Sequence, residues 1–165
     1  MVIIYFESSA LFKAYFPEKG SKNVEYALSL LGNEVIGATS QWTLLEIVRG
    51  FVKRKNLGEI TDEELYDIIG FFLHDIERMV IENQIKLVEI RKDTILKALD
   101  LIKQYNLYAA DALHMKTAEI IEARAILVDD YHYEKMKNAT KLEVLNVDAT
   151  EDIFKRKLGK ILERL

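Results

Sequence analysis

The sequence predicts an α/β protein with three layers, in which helices cover both faces of a mostly parallel central sheet of about five strands. Short apolar runs, rich in β-branched residues, alternate along the chain with longer stretches whose apolar residues recur at helical spacing. Strands that alternate with helices in this way form parallel sheets joined by right-handed crossovers. The chain has 165 residues, one proline and seven glycines, so we expect a single domain over residues 1–165.

The composition excludes several kinds of site and class of protein. The chain has no cysteines, so disulfides, zinc–thiolate sites and thiol catalysis are excluded. No apolar run approaches the ~18 residues of a membrane helix, and a cytoplasmic protein without membrane association is expected. The formal net charge of −4 argues against broad, nonspecific coating of nucleic acid, but it is compatible with a local basic rim around an acidic pocket.

The first forty residues predict two strands and two helices. The run Val2–Phe6 is short, apolar and rich in β-forming residues, which is typical of a buried parallel strand. Ser8 or Ser9 can cap the helix that follows. A second helix is expected over residues 22–31, and a second strand over residues 34–38.

A longer helix is expected over residues 41–55, after a cap supplied by Thr39 or Ser40. Four of its apolar residues recur at helical spacing and are expected to face the core: Trp42, Leu45, Val48 and Val52. Trp42 has an alternative interpretation, in which its indole ring stacks on a nucleobase.

Thr61 and Glu64 form a capping-box pattern, which predicts the start of a long helix that ends near residue 82. Residues 65–80 are dense in Ile, Phe and Leu. Burial beneath a neighbouring helix explains this density, and the alternative is a surface for dimerisation or for a partner peptide.

The second half of the chain predicts three more strands, over residues 85–90, 125–128 and 142–147. Helices are expected from Asp93 or Thr94 to about residue 105, over residues 109–122 and over residues 131–137. An amphipathic helix begins near residue 150, and it either packs back on the body or serves a partner. Its apolar residues are Ile153, Phe154, Leu158, Ile161 and Leu165.

Four acidic residues far apart in the chain stand where an apolar run meets a helical pattern: Glu7, Glu46, Asp111 and Asp130. An α/β fold gathers such junctions along one edge of its sheet. Two carboxylates about 4 Å apart repel each other by roughly 4 kcal/mol at an effective dielectric constant of about 20. A stable cluster therefore needs shared protons or a divalent cation, and oxygen ligands favour Mg²⁺ or Mn²⁺. This pattern predicts a metal-dependent site that cleaves phosphodiesters.

Each acid also has a purely structural explanation. Glu46 lies within an apolar helical face and could form an ion pair with Arg49, three residues later. Helix starts favour acidic residues as caps or through the helix dipole, and this alternative applies to Glu7, Asp111, Asp129 and Asp130.

Several residues are candidates for binding RNA or for supporting the acids. Basic side chains that could hold phosphates, or simply be solvated, are Lys13, Arg49, Lys53, Arg54, Lys55 and Lys116. Ser9 could contact a metal-bound water or only cap its helix. His114 lies one helical turn after Asp111, so it belongs either near the site or in the packed core. His132 is a candidate for a supporting or surface role, and the spacing of the histidines does not predict a zinc site.

Four segments resemble the signature blocks of PIN-domain nucleases, in order and spacing, and are most similar to VapC-type toxins of toxin–antitoxin pairs: YFESSALFKAYFPEKGS, ATSQWTLLEIVRG, AADALHMKTAEI and ILVDDYHYEKM. The resemblance covers roughly residues 2–147. It implies a dimeric endoribonuclease that depends on Mg²⁺ or Mn²⁺, cleaves single-stranded RNA and binds an antitoxin. In the family, a metal-activated water attacks the phosphate in line. The four acids of the family fall on Glu7, Glu46, Asp111 and Asp130, and Asp129 could add another metal ligand.

Two positions depart from the family pattern. The first acid is normally aspartate, and Glu7 is longer by one methylene, which moves the carboxylate by about 1.5 Å. Val128 stands where the family has threonine or serine, so a hydroxyl is missing. These departures support an alternative function, a catalytically degenerate PIN-like module that binds RNA or a protein. In that case Glu7→Asp combined with Val128→Thr should raise cleavage.

A third hypothesis is a receiver-like phosphoacceptor domain, which also has acids at strand ends. Such a domain would need a lysine after a late strand, and the sequence offers no convincing one.

Overall fold

The central sheet has five strands, all parallel, in the order β3-β2-β1-β4-β5. The computed structural model describes residues 1–32 and 34–163, so Leu165 of the predicted C-terminal helix lies outside the described residues. The strands are β1 (Val2–Phe6), β2 (Val35–Ser40), β3 (Ile85–Val88), β4 (Ala125–Val128) and β5 (Glu143–Asn146). The predicted sheet of about five mostly parallel strands is confirmed.

Eight helices connect and cover these strands within the described residues. They are α1 (Ser8–Phe12), α2 (Ser21–Ser29), α3 (Gln41–Asn56), α4 (Asp62–Ile81), α5 (Lys92–Tyr105), α6 (Ala109–Ile120), α7 (Asp130–Met136) and α8 (Glu151–Leu162). The predicted capping box is present at the start of α4, where the Thr61 amide donates to the Glu64 carboxylate at 2.8 Å. None of the helices in the described part of the chain combines the length and the apolar composition needed to cross a membrane.

Two apolar cores lie on opposite faces of the sheet and establish the three layers. One core contains buried residues of α1, α2, α3, α4 and α8, with Phe51, Phe72 and Phe154 among its largest side chains. The other contains residues of α5, α6 and α7, with Met115 and Met136 fully buried. The C-terminal helix α8 therefore packs back on the body of the protein.

The buried face of α3 differs from the predicted one. Trp42 is 43% exposed and Leu45 is 64% exposed, whereas the buried residues of the helix are Thr43, Ile47 and Phe51. Hydrogen bonds at the N-terminus of the helix explain this rotation. Ser40 caps the helix by accepting from the Thr43 amide, and the Thr43 hydroxyl bonds to Thr39 at 2.7 Å. Thr43 is therefore held against the sheet, and the residues four and eight positions later follow it into the core.

The order of the strands places the candidate site. Strand β1 is central: β2 and β3 extend the sheet on one side, and β4 and β5 extend it on the other. The chain thus changes direction across the sheet next to β1. In open parallel sheets, ligands bind at such a switch point, beyond the carboxyl ends of the strands.

Candidate active site

The carboxyl ends of β1, β2 and β4 supply three capping residues that surround the switch point. Glu7 follows β1 and caps α1, Ser40 ends β2 and caps α3, and Asp129 follows β4 and caps α7. The Glu7 amide donates to the Leu127 carbonyl at 3.1 Å, which holds the ends of β1 and β4 together. The local capping chemistry therefore turns acidic side chains towards one edge of the sheet.

Glu7 is 1% exposed and its carboxylate is fixed by three donors. It accepts hydrogen bonds from the Ser9 amide at 2.8 Å and from the Ser8 hydroxyl at 2.6 Å, and a third from the Ser9 hydroxyl. These bonds satisfy a buried charge and set its position before any ligand binds. The Ser9 hydroxyl also accepts from the Asp129 amide at 3.1 Å, so Ser9 links two acidic residues of the site.

Glu46 and His114 form the second part of the site. Glu46 Oε2 lies 2.6 Å from His114 Nε2, and Glu7 Oε1 lies 3.7 Å from the same nitrogen. His114 is fully buried, and its Nδ1 shares a hydrogen bond of 2.8 Å with the Tyr5 hydroxyl. Burial alone would lower the pKa of His114, but the hydrogen bond to Glu46 and the charge of Glu7 raise it overall. Burial likewise opposes ionisation of Glu46, and its bond to His114 nevertheless lowers the pKa of that carboxyl.

Asp111 lies in the first turn of α6 and is 2% exposed. Its Oδ1 is 3.4 Å from His132 Nε2, whereas its Oδ2 is buried without a hydrogen-bond partner among the described residues. Burial raises the pKa of the Asp111 carboxyl, and the charge of Glu7 adds to this rise against the opposing effect of His132. Buried oxygens without partners are rare, because they cost free energy unless something binds them.

Asp129 and His132 complete the group. The Asp129 carboxylate accepts from the His132 amide at 2.9 Å and lies 2.6 Å from His132 Nδ1. Burial alone would lower the pKa of His132, but the Asp129 hydrogen bond and the charges of Glu7 and Asp111 raise it to about 9. The imidazolium of His132 therefore places positive charge between Asp129 and Asp111.

Asp130 is not brought into this group. Its side chain is 53% exposed, forms an ion pair with Lys19 at 2.7 Å and accepts a hydrogen bond from Asn146. Asp129 occupies the N-cap of α7 and its carboxylate bonds to His132, whereas Asp130 is the first residue of the helix and points its carboxylate to Lys19 and Asn146. Asp129 therefore occupies the position beside the other acids that the sequence pattern assigned to Asp130.

The residues present fit a divalent cation. One ligand atom each from Glu7, Glu46 and His114 lies within 4.8 Å of the others. Asp111 is near enough for the charges of Glu7 and His114 to shift its pKa, and its Oδ2 has no hydrogen-bond partner among the described residues. Carboxylate oxygens suit Mg²⁺ and Mn²⁺, and an imidazole nitrogen is a ligand that transition metals accept more readily than Mg²⁺ does.

An open cleft of about 610 Å³ leads to these residues. Glu46, Asp129, His132 and Ser9 line its acidic side. The exposed face of α3 forms another wall, lined by Trp42, Arg49 and Lys53. The rotation of α3 that exposes Trp42 therefore brings an aromatic ring and two basic side chains to the mouth of the site.

Other predicted basic residues are already paired within the protein. Lys13 is 5% exposed and lies 2.9 Å from Asp148 and 3.1 Å from Glu18, so the prediction that it contacts RNA is corrected. Lys116 is paired with Glu119 beside it on α6. Arg54 forms ion pairs with Glu18 and Glu59, and Lys55 forms one with Asp62.

Only weak patterns in the sequence indicate the two histidines that contact the acids. His114 follows Asp111 by three residues and so lies on the same helical face, but nothing in its spacing indicates that it would meet Glu46. His132 follows Asp129 by three residues in the first turn of α7, which was a detectable capping pattern.

A family model described as PIN domain matches residues 4–139. Solved structures with a similar fold include a toxin–antitoxin complex from Klebsiella pneumoniae, with a TM-score of 0.58 and 17% identity over 87% of this chain and 97% of that chain. VapBC2 from Rickettsia felis, bound to a promoter DNA fragment, has a TM-score of 0.60 and 16% identity over 88% and 98%. FitAB bound to the IR36 DNA fragment has a TM-score of 0.66 and 14% identity over 90% and 97%. No curated protein sequence matches at a significant level.

Proposed function

Because this chain belongs to the PIN domain family, whose model matches residues 4–139, we propose that it is a metal-dependent endoribonuclease that cleaves single-stranded RNA. We further propose that it acts as the toxin of a toxin–antitoxin pair. The nuclease class follows from the family, and the substrate, the metal and the biological role are parts of the proposal.

The buried carboxylate of Asp111 is the observation that carries the proposal. Its Oδ2 has no hydrogen-bond partner among the described residues, and the negative charge of Glu7, which is also buried, helps to raise the pKa of Asp111. Such a group is unfavourable in a folded protein unless a cation binds it. Glu7, Glu46 and Asp111 would hold Mg²⁺ or Mn²⁺, and His114 Nε2 would become a nitrogen ligand if its hydrogen bond to Glu46 were exchanged for the metal and the imidazole were neutral. When bound, the cation supplies charge neutralisation for the phosphate and a water of lowered pKa.

The residues of the cleft would bind and orient the RNA. Arg49 and Lys53 on the exposed face of α3 would contact backbone phosphates. Trp42, which is 43% exposed, could stack on a base. Asp129 holds His132 through Nδ1, which directs the positive Nε2 towards Asp111 and would favour a phosphate beside the acids.

The proposed partners are an antitoxin and a second copy of the chain. The solved neighbours include toxin–antitoxin complexes, which supports an antitoxin partner for this chain. Helix α4 carries an exposed apolar row that a second copy would cover: Tyr66, Leu73, Val80 and Ile81. Exposed apolar rows of this kind mark protein interfaces.

Cleavage of a labelled single-stranded RNA by the purified protein tests the proposed function. We expect cleavage with Mg²⁺ or Mn²⁺, none in EDTA, and none with Asp111→Asn at any metal concentration. Asp100→Asn is the matched control, because Asp100 is 82% exposed on α5, and it should cleave like the wild type. Cleavage that persists in EDTA or in Asp111→Asn would refute the mechanism and indicate a contaminating nuclease or a different site.

A further inference from the structure

Two exposed tyrosines stand beside the candidate site and serve no purpose in the packing of the core. Tyr108 is 61% exposed and Tyr131 is 54% exposed. Tyr108 occupies the N-cap of α6, where it makes no side-chain capping hydrogen bond. Serine, threonine, aspartate or asparagine would stabilise that helix end better. An exposed aromatic ring thus replaces a favourable cap three residues before Asp111.

Lys135 joins the two rings. Its ammonium nitrogen lies 3.7 Å from the centroid of the Tyr108 ring and 4.2 Å from that of Tyr131, and it bonds to the Tyr131 hydroxyl at 2.7 Å. Within the described residues it forms no ion pair with a carboxylate. A cation held over aromatic faces keeps its charge available to an incoming anion, because cation–π contacts do not neutralise it.

A short series of contacts connects this group with the acids. The Tyr131 ring packs edge-on against the His132 ring, with centroids 5.2 Å apart and an angle of 86° between the planes. His132 lines the cleft, and its Nε2 is 3.4 Å from Asp111 Oδ1. Tyr131 therefore contacts a residue that lines the cleft, and Lys135 connects Tyr131 with Tyr108, so the three residues neighbour the cleft on the side of Asp111.

We propose that Tyr108, Tyr131 and Lys135 form a nucleotide subsite, in which a base stacks on a tyrosine ring and Lys135 contacts the adjoining phosphate. The inference rests on the proposed nuclease function and specifies its substrate further. Every nucleobase has a face that can stack, so the subsite accepts any base of a single strand. A base within a duplex is already stacked on its neighbours and cannot use it. The subsite thus selects unpaired RNA next to the cleaved bond.

Binding in EDTA tests this subsite without requiring cleavage. The affinity of a labelled 12-nucleotide RNA is measured by fluorescence anisotropy for the wild type, for Tyr108→Phe/Tyr131→Phe and for Tyr108→Ala/Tyr131→Ala. A second oligomer with the same phosphates but abasic riboses is measured in parallel. We expect the alanine variant to bind the RNA about tenfold more weakly or worse, the phenylalanine variant to bind like the wild type, and all three to bind the abasic oligomer equally.

Lys135→Gln provides the matching test of the phosphate contact. It should weaken binding of both oligomers to the same extent and reduce the slope of log affinity against log salt by about 0.7, as the loss of one phosphate contact does for a single strand. Thermal unfolding of each variant checks the fold, and the single variant Tyr131→Ala replaces the double one if the latter unfolds.

Three results would overturn the subsite: equal RNA affinity of wild type and alanine variant, an equal loss on the abasic oligomer, or no RNA binding by the wild type. The outcome is separate from that of the nuclease proposal. Tyrosine-dependent binding without cleavage in any metal would keep the subsite and refute the nuclease. Cleavage in Mn²⁺, with an RNA affinity and a KM that do not change when both tyrosines are replaced, would keep the nuclease and refute the subsite.

Discussion

Asp111 shows how far a single side chain can indicate function. Its carboxylate is buried, burial raises its pKa, and its Oδ2 lacks a partner among the described residues. His114 bonds to Glu46, and His132 lies beside Asp111 and Asp129, but neither histidine bonds to that oxygen. Functional sites commonly keep such unfavourable groups at the expense of stability.

Asp111→Asn should therefore stabilise the metal-free protein. Removing the buried charge is expected to raise the free energy of unfolding by about 1 kcal/mol, or the melting temperature by roughly 2–4 °C. The measurement is thermal unfolding in EDTA. Mn²⁺ should then raise the melting temperature of the wild type but not that of the variant. A variant that melts lower than the wild type in EDTA would show that the charge is satisfied without metal.

Glu7 differs by one methylene from the aspartate usual at this position, and the structure explains why the longer side chain suits this protein. Its carboxylate accepts from Ser8 and Ser9 while remaining 3.7 Å from His114 Nε2. Aspartate would retract by about 1.5 Å and could not keep the serine bonds and the distance to His114 together.

Glu7→Asp should thus lower RNA cleavage by about a hundredfold, as misplacements of ~1 Å do, with a parallel loss of Mn²⁺ affinity by calorimetry. Glu34→Asp is a suitable control, because Glu34 is an exposed acid just before β2. Increased cleavage by Glu7→Asp would instead support a degenerate wild-type site.

The positions of Asp129 and Asp130 show a limit of sequence reasoning at the residue scale. The acidic character of the β4–α7 junction could be predicted, because both residues follow an apolar strand. Which of the two turns inward depends on which one caps α7, and the boundary of that helix was predicted one residue too late. A shift of one residue at the start of a helix therefore changes which side chain serves as the cap and which one points elsewhere.

Helix α3 shows a similar limit at the scale of an element. Its existence and its Ser40 cap could be predicted, but its buried face could not, because the apolar residues Trp42 and Leu45 suggested a different one. Polar contacts of Thr43 with the end of β2 set the rotation of the helix. An apolar row exposed in this way indicates a binding surface.

The exposed face of α3 can be tested through its charges. Arg49→Gln and Lys53→Gln should each weaken binding of single-stranded RNA several-fold. Each should also reduce the slope of log affinity against log salt by about 0.7, since each loses one phosphate contact. Anisotropy titrations between 50 and 200 mM salt, a range of about fourfold, measure both effects. Lys103→Gln on α5, on the opposite face of the sheet, is the control, and an equal effect there would contradict a localised contact.

Lys13 links the end of α1 to the segment after β5. It is buried between Asp148, at 2.9 Å, and Glu18, at 3.1 Å, and it donates to the Lys19 carbonyl at 2.8 Å. Sequence alone could not separate this lysine from the exposed ones, because Asp148, one of its two acidic partners, lies more than a hundred residues away.

Lys13→Met should destabilise the protein by about 3 kcal/mol, because it leaves the buried Asp148 without its cation. Chemical denaturation measures the change. Lys22→Met is the matched control: its pair with Glu151 is 3.8 Å long and largely exposed, so no measurable change is expected. Equal stabilities of the two variants would show that the Lys13 pair contributes nothing.

At the scale of the whole molecule, the parallel sheet was predictable, because strands and helices alternate throughout the chain. The order of the strands was not, since it depends on which helices cover which face. That order places β1 between β2 and β4 and thereby brings Glu7, Glu46, Asp111 and Asp129, which are far apart in the chain, to one edge of the sheet. The net charge of the chain is −4, and the fold nevertheless presents the basic side chains of α3 as one wall of the cleft beside these acids.

The exposed apolar row of α4 predicts a surface through which two copies of the protein would form a dimer. Tyr66, Leu73, Val80 and Ile81 lie on one side of this helix, and all four are exposed, an arrangement that a monomer would leave in water at a cost in solubility. If a second copy covers the row, Leu73→Glu should convert a dimer into a monomer, because the charge would be buried in a symmetric interface and would meet its own copy. Light scattering after size-exclusion chromatography measures the mass. Leu96→Glu is the control, because Leu96 is an exposed residue of α5, and this variant should remain dimeric. A Leu73→Glu protein that is still dimeric would place the interface on another surface and leave the α4 row for a different partner.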